Sequence, residues 1–183
     1  MKTQIIQRAF DHLQPGGWFE SQEIDATLCC DDGTVIADWG FQRWTTDFID
    51  ASRNANRQVE VAKQLKDLLR EVGFVDVHEV VLKLPLNGWP KETHLKHVGM
   101  LWQRNMLEGL SAFSLGLFSR FFGRTVEEIE VSSARKPTVE SVREMLISSR
   151  QLSLVDVRKS LFDRKVHAYH ELYVVWGRKP ETA

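Results

Sequence analysis

Apolar residues at Ile5, Ile6, Ala9, Phe10 and Leu13 fall on one helical face, and Pro15-Gly16-Gly17 stops that helix, predicted to run to Gln14. Trp18 to Ile24 then alternates as a strand does. Phe19, Ser21 and Glu23 share one face, and Trp18, Glu20, Gln22 and Ile24 share the other. Asp31-Asp32-Gly33 reads as a turn. A long helix is predicted from about Asp47 to Val72, its stripe built from Phe48, Ala51, Val59, Ala62, Leu65, Leu69 and Val72 and its end marked by Gly73. Phe74 to Leu84, rich in valine, is the next strand, closed by Pro85 and Asn87-Gly88. A strand, a helix and a strand in succession predict two parallel strands.

Between Thr93 and Phe122 the spacing of Leu95, Val98, Trp102, Met106 and Leu110 is again helical, and Gly109, Gly116 and Gly123 divide it into two expected short helices. Thr125 and Glu128 fit a capping box, Pro137-Thr138 opens a further amphipathic segment, and a short helix is expected from Ser153. Ala168 to Gly177, with Tyr169, Leu172, Tyr173, Val174, Val175 and Trp176, reads as a buried strand.

The composition changes this picture little. With 183 residues, 43% hydrophobic and 27% charged, the chain has the material for one α/β domain with a core. A formal net charge of -1, with basic pairs scattered at Arg135-Lys136, Arg158-Lys159 and Arg178-Lys179, gives no nucleic-acid-binding stripe. Lys2, Arg8 and Asp11 interrupt the first residues where a signal peptide is apolar, and the apolar run Phe113 to Phe122 is short and holds Arg120. An intracellular protein, cytoplasmic or nuclear, is expected, with no membrane contact. Cys29 and Cys30 are adjacent, poorly placed for a mutual disulfide, and read as ordinary thiols.

Four stretches together resemble one family. HLQPGGWFESQEID (His12 to Asp25), LREVGFVDVHEVVLKLPLNGWPK (Leu69 to Lys91), the apolar helical region around Leu107-Glu108-Gly109-Leu110 and HAYHELYVVWGRKPE (His167 to Glu181) are similar, in order, to class I S-adenosylmethionine-dependent methyltransferases of the fungal LaeA-like subgroup. The resemblance implies the C-terminal part of a Rossmann-like fold, with strands five, six and seven of a seven-stranded sheet. It implies a partial methyltransferase domain over 1–183, with residues 93–123 as a helical insert over the substrate rim. The family binds S-adenosylmethionine through a glycine-rich turn after strand one and an acidic residue ending strand two. Nothing in Met1 to Leu13 matches either, so no cofactor-binding residue is expected in this chain and it is expected to be inactive alone. Residues 132–153 interrupt the family pattern, as an unspliced intron or a lineage-specific insertion.

Ligands of open α/β sheets bind outside the carboxyl ends of parallel strands. That rule singles out Gln22, Glu23 and Asp25 after the first strand, and Trp89 and Trp102 as apolar walls, as substrate-binding candidates under the 93–122 helices. The plainer alternative is a solvated strand end with helices packed on the sheet. His94 and His97 lie one turn apart without a third ligand nearby and read as solvent-facing, so no metal is expected. For His167 and His170 a structural role is preferred to a general base. Two functions remain: a methyltransferase part acting on a small-molecule or protein methyl acceptor, or a non-catalytic module that binds a protein through the unpaired edge of its first strand.

Overall fold

The computed structural model describes residues 2–57, 59–122 and 154–181. The fold is α/β, with a three-stranded sheet. The elements run α1 (Lys2–His12), β1 (Trp18–Ile24), α2 (Gly40–Asn54), a single 3-10 turn (Ala62–Gln64), α3 (Leu65–Val72), β2 (Val75–Pro85), α4 (Thr93–Phe122), α5 (Leu154–Leu161) and β3 (Tyr169–Arg178). They divide into two compact units. One comprises Met1–Thr27, Val59–Leu84 and His170–Ala183, and the other Leu28–Gln58 and Pro85–Tyr169.

The first unit holds the sheet, ordered β1-β3-β2. β1 and β3 are antiparallel, with Phe19 opposite Gly177, Ser21 opposite Val175 and Glu23 opposite Tyr173. The Arg178 guanidinium reaches Asp76 at 3.0 Å and His78 stacks on Trp176 at 5.5 Å, so the start of β2 lies beside the end of β3 and that pair is antiparallel as well. β1 and β2 therefore run the same way, as the strand-helix-strand order predicts, but they are not neighbours, because β3 is inserted between them.

One face of the sheet packs on α1 and α3. Ile6, Ala62, Leu65, Leu69, Phe74, Tyr173 and Val175 form its core, with Phe10 edge-on to Phe74 at 4.9 Å and Phe19 stacked on Phe74 at 5.6 Å. Complete burial of each large apolar side chain contributes about 1.5 to 3 kcal/mol. Close packing needs Gly177, whose Cβ would lie 3.1 Å from the Phe74 Cβ. The opposite face is less covered, with Trp18, Val80 and Leu82 about half exposed. Lys179 secures the end of α1: its ammonium donates to the carbonyls of Phe10 (2.7 Å) and Leu13 (2.9 Å).

In the second unit α2, α4 and α5 enclose Trp39, Phe41, Trp44, Leu86, Met106, Leu110, Phe118, Leu154, Val157 and Leu161. The indole N–H of Trp44 donates to Ser114 Oγ at 2.8 Å, and Ser114 in turn donates to the Leu110 carbonyl, which satisfies that indole, whereas the buried Trp39 Nε1 has no hydrogen-bond partner among the described residues. α4 crosses the segment after β2 so closely that a Cβ on Gly99 would sit 2.2 Å from the Asn87 carbonyl oxygen.

Two predicted helices differ from the structure. The helix expected over Asp47 to Val72 is two helices: α2 starts earlier, at Gly40, and stops at Asn54. Asn56 adopts a left-handed φ of 54°, while the amides of Ala55, Asn56 and Arg57 return to the carbonyls of Ala51, Arg53 and Ser52. This is an asparagine-based helix stop, which the apolar stripe concealed. Conversely, the two short helices expected between Thr93 and Phe122 are one 30-residue helix. Its start is fixed by Glu92, whose carboxylate accepts from the amides of His94 (2.8 Å) and Leu95 (2.6 Å). Glycines inside it cost about 1 kcal/mol each relative to alanine and do not break it. The capping box at Thr125, the segment opened by Pro137-Thr138 and the insertion at 132–153 lie outside the described residues.

Candidate functional site

The first unit contributes the end of β1. Asp25 closes the strand, its Oδ1 accepting from the Thr27 amide at 2.8 Å. The residue is 1% exposed, and its Oδ2 has no hydrogen-bond partner among the described residues. The Lys63 ammonium approaches it at 3.8 Å, a separation that balances charge without a hydrogen bond. His170 on β3 is buried beside it, with Nδ1 3.0 Å from the Asp25 carbonyl oxygen. A carbonyl only accepts, so Nδ1 carries the proton in the neutral ring. Burial pushes the His170 pKa below its ordinary value, and contacts with Asp25 and Thr27 oppose that only in part. Tyr173 donates to Glu171 at 2.9 Å, and burial, with the nearby Glu171, Asp25 and Glu79 carboxylates, holds its hydroxyl well above the usual tyrosine range. Of the other candidates here, Glu23 is half-buried, and Gln22 is exposed and donates to Glu20 at 2.8 Å.

The second unit carries a separate polar cluster built on the loop after β1. Cys29 and Tyr169 exchange two backbone hydrogen bonds of 2.9 and 3.0 Å, and Tyr169 donates its hydroxyl to Asp31 at 2.7 Å. Asp32 Oδ1 accepts from Cys30 Sγ (3.1 Å), the Thr34 amide (3.2 Å) and the Thr34 hydroxyl (2.8 Å). Its Oδ2 meets His167 Nδ1 at 2.5 Å. The Cys30 contact, then those from Thr34 and His167, hold the Asp32 carboxyl far below the usual carboxylate range. Thr34 Oγ1 also accepts from the His167 amide at 2.8 Å, tying loop and strand start together twice.

Trp89 belongs to this cluster. Its indole N–H donates to the Ala168 carbonyl at 2.9 Å, and its ring lies 4.8 Å from the His167 ring at 32°. Trp102 is half-buried on α4 and packs against the core. Asn87, which follows the second strand beside Trp89, is 1% exposed and donates to the carbonyls of Leu161 (3.2 Å) and Asp163 (3.1 Å). The sequence missed Asp32 and Thr34, because their partner His167 lies more than 130 residues away.

No protein-family model matches the chain. Among curated proteins it is similar to the secondary metabolism regulator LAE1 of Cochliobolus heterostrophus, 30% identical over 97% of this chain and 52% of that protein. It is similar as well to the probable methyltransferase tdiE of Emericella nidulans, 29% identical over 98% of this chain and 50% of that protein. The methyltransferase pytC of Aspergillus terreus is 28% identical over 96% of this chain and 48% of that protein. The chain is thus similar over nearly its whole length to proteins named as methyltransferases and as secondary metabolism regulators. It spans about half the length of the curated relatives it matches.

The described residues do not fit the S-adenosylmethionine cradle that the family implies. Between β1 and α2 the only glycine is Gly33, a turn residue with φ 72° and open space around it. After β2 the position a Cβ would take on Gly88 is 3.0 Å from the Met100 side chain, so that glycine serves the packing of α4. Gly16 and Gly17 precede a strand rather than follow one. Among the described residues no His/Cys/Asp/Glu cluster could hold a metal, and no helix is long and apolar enough to cross a membrane.

Proposed function

We propose that this chain is the methyl-acceptor side of an S-adenosylmethionine-dependent methyltransferase, supplying strands five, six and seven of its sheet. The observation that carries the reading is the similarity over nearly the whole chain to about half of proteins named as methyltransferases and secondary metabolism regulators. Two co-directional strands with an antiparallel third between them are compatible with it. In this reading the first unit carries Gln22, Glu23 and Asp25 as acceptor-side candidates, and the second unit carries Trp89, Trp102 and the 93–123 insert. Asp25 supplies the strongest support, as a buried carboxylate oxygen without a hydrogen bond at a strand's carboxyl end. The methyl acceptor is a small molecule or a protein. The cytoplasm or nucleus is the proposed compartment, in keeping with relatives named as regulators.

The cofactor's polar contacts come from outside these residues, so the 183-residue chain alone binds S-adenosylmethionine undetectably. Loss of several hydrogen bonds, some to a carboxylate at about 1.5 to 3 kcal/mol each, removes several orders of magnitude in affinity. Titration calorimetry tests this. Saturable heat at micromolar cofactor refutes the division of labour, and heat that appears only with a longer chain carrying a glycine-rich strand-helix segment supports it.

A second reading is favoured by the sheet edge. β1 pairs only with β3 among the described residues, and beside it Trp18, Phe19, Glu20 and Trp176 line a shallow groove of about 360 Å³. A non-catalytic module would add a partner's strand there. A stable complex that is lost on Glu20→Pro, which removes a backbone donor on the outer edge of β1 and leaves the bonds to β3 in place, would select this reading.

A further inference from the structure

His167 is the one histidine in the second unit's polar cluster that combines exposure with a carboxylate partner. Its side chain is 38% exposed, Nδ1 is taken by Asp32, and Nε2 has no partner among the described residues. Four donors surround the Asp32 carboxylate, which therefore stays ionised and can only accept. Nδ1 must then be the N–H of the neutral ring, and Nε2 is left as a bare lone pair. The second hydrogen bond between Thr34 Oγ1 and the His167 amide fixes the backbone from which the ring projects. Alongside lies the flat, half-buried face of Trp89, itself held by its bond to Ala168.

We propose that His167 is a hydrogen-accepting binding site for a phenolic hydroxyl, with Trp89 as the apolar wall for the ring that bears it and Asp32 as the positioning residue that holds the proton of the neutral ring on Nδ1. A bare imidazole nitrogen selects a ligand that donates. Of neutral O–H groups a phenol is the most acidic in ordinary biochemistry, near pKa 10 and so closest to imidazolium, and its ring matches the indole beside the acceptor. This deepens the acceptor-side reading, on which it rests for the ligand's role but not for its binding. Cys30 and Thr34 act through Asp32 and Asp31 through Tyr169, so none of these groups occupies Nε2.

The test is nitrogen-15 NMR of the histidine side chains in the full 183-residue chain, with 4-methylphenol, which keeps its O–H at neutral pH, as the probe. The expected result is the Nδ1–H tautomer at His167, and an Nε2 resonance that moves saturably as probe is added. Removing the acceptor in His167→Phe should weaken binding about tenfold, the loss of one hydrogen bond. Asp32→Asn should abolish the tautomer preference while the folded signals of the rest of the chain persist. An Nε2–H tautomer in the unaltered chain, no saturable shift at His167, or equal binding by a folded His167→Phe variant would overturn the proposal. If His167→Phe does not fold, tautomer and probe-induced shift in the unaltered chain decide between the same two outcomes. No methyl donor enters either measurement, so failure here is distinct from failure of the methyltransferase reading, which the calorimetry tests.

Discussion

Replacing Lys179 by methionine removes an ammonium and keeps most of its apolar stem. In the folded chain that ammonium donates to the Phe10 and Leu13 carbonyls at 2.7 and 2.9 Å and sits 4.9 Å over the Phe10 ring. Both carbonyls belong to the unsatisfied C-terminal end of α1, where a positive charge is favoured by the helix dipole. Each hydrogen bond to a charged group is worth about 1.5 to 3 kcal/mol when fully desolvated. Lys179 is only half-buried, so water replaces part of what is lost, and the net cost is about 2 kcal/mol. That loss should make the amides of the last turn of α1, among them Leu13 bonded to Ala9, exchange with solvent about 30-fold faster. Hydrogen exchange on the two chains side by side is the assay. Lys179→Arg, which keeps donors and charge, should recover most of the protection. Exchange unchanged within about twofold in Lys179→Met would show that the helix end is held by packing of Phe10 alone and would refute the reasoning.

Three further outcomes are expected. Gly99→Ala would place a Cβ 2.2 Å from the Asn87 carbonyl oxygen and should cost about 3 kcal/mol in urea unfolding, whereas Gly116→Ala, with open space at that position, should gain about 1 kcal/mol; equal effects would contradict the close crossing of α4. Burial lowers the folded pKa of His170, so the unfolded chain takes up its proton first as pH falls below about 6.5 and stability declines there, by up to about 1.4 kcal/mol per pH unit. His170→Gln should flatten stability between pH 7.5 and 5, and an unaltered slope would show that other groups dominate; the Asp32 contribution, from a depressed carboxyl pKa, is lost only at pH values below about 4. The side of β1 that is unpaired among the described residues, with Trp18 54% exposed, should make the chain self-associate, so its gel-filtration volume should change with concentration and Trp18→Lys should reduce the change; a monomer at every dilution counts against it.

What the sequence revealed and what it concealed divide along the range of the interactions. β1 was legible residue by residue, from Trp18 to Ile24, because alternation and the Pro-Gly-Gly stop are local signals. Gly73 was legible for the same reason, and takes a left-handed φ of 111° at the end of α3. The break at Asn56 was hidden because the apolar stripe continues in phase across it, although the residues before and after serve two different cores. Continuity of α4 was hidden because glycine signals a stop only where the backbone turns left-handed, and neither Gly109 nor Gly116 does. Asp25 and Trp89 were singled out by their positions after the strands, a local signal. Asp32 looked like a turn residue, and its pairing with His167 depends on a contact spanning most of the chain. Local pattern carries no information about such a pair.

The sheet order has a consequence for how the chain is made. β3 is the middle strand, and it is the last of the three to leave the ribosome. Among the described residues β1 and β2 pair only with β3 and not with each other, so neither gains this partner until residues 169–178 emerge. Both carry half-exposed apolar side chains, Trp18 on one and Val80 and Leu82 on the other, through the whole of that wait. Sheet formation is thus non-local and late, the circumstance that slows folding and leaves strand edges open to other chains. A nascent chain stalled just before Tyr169 should be bound by chaperones far more strongly than one released after Arg178.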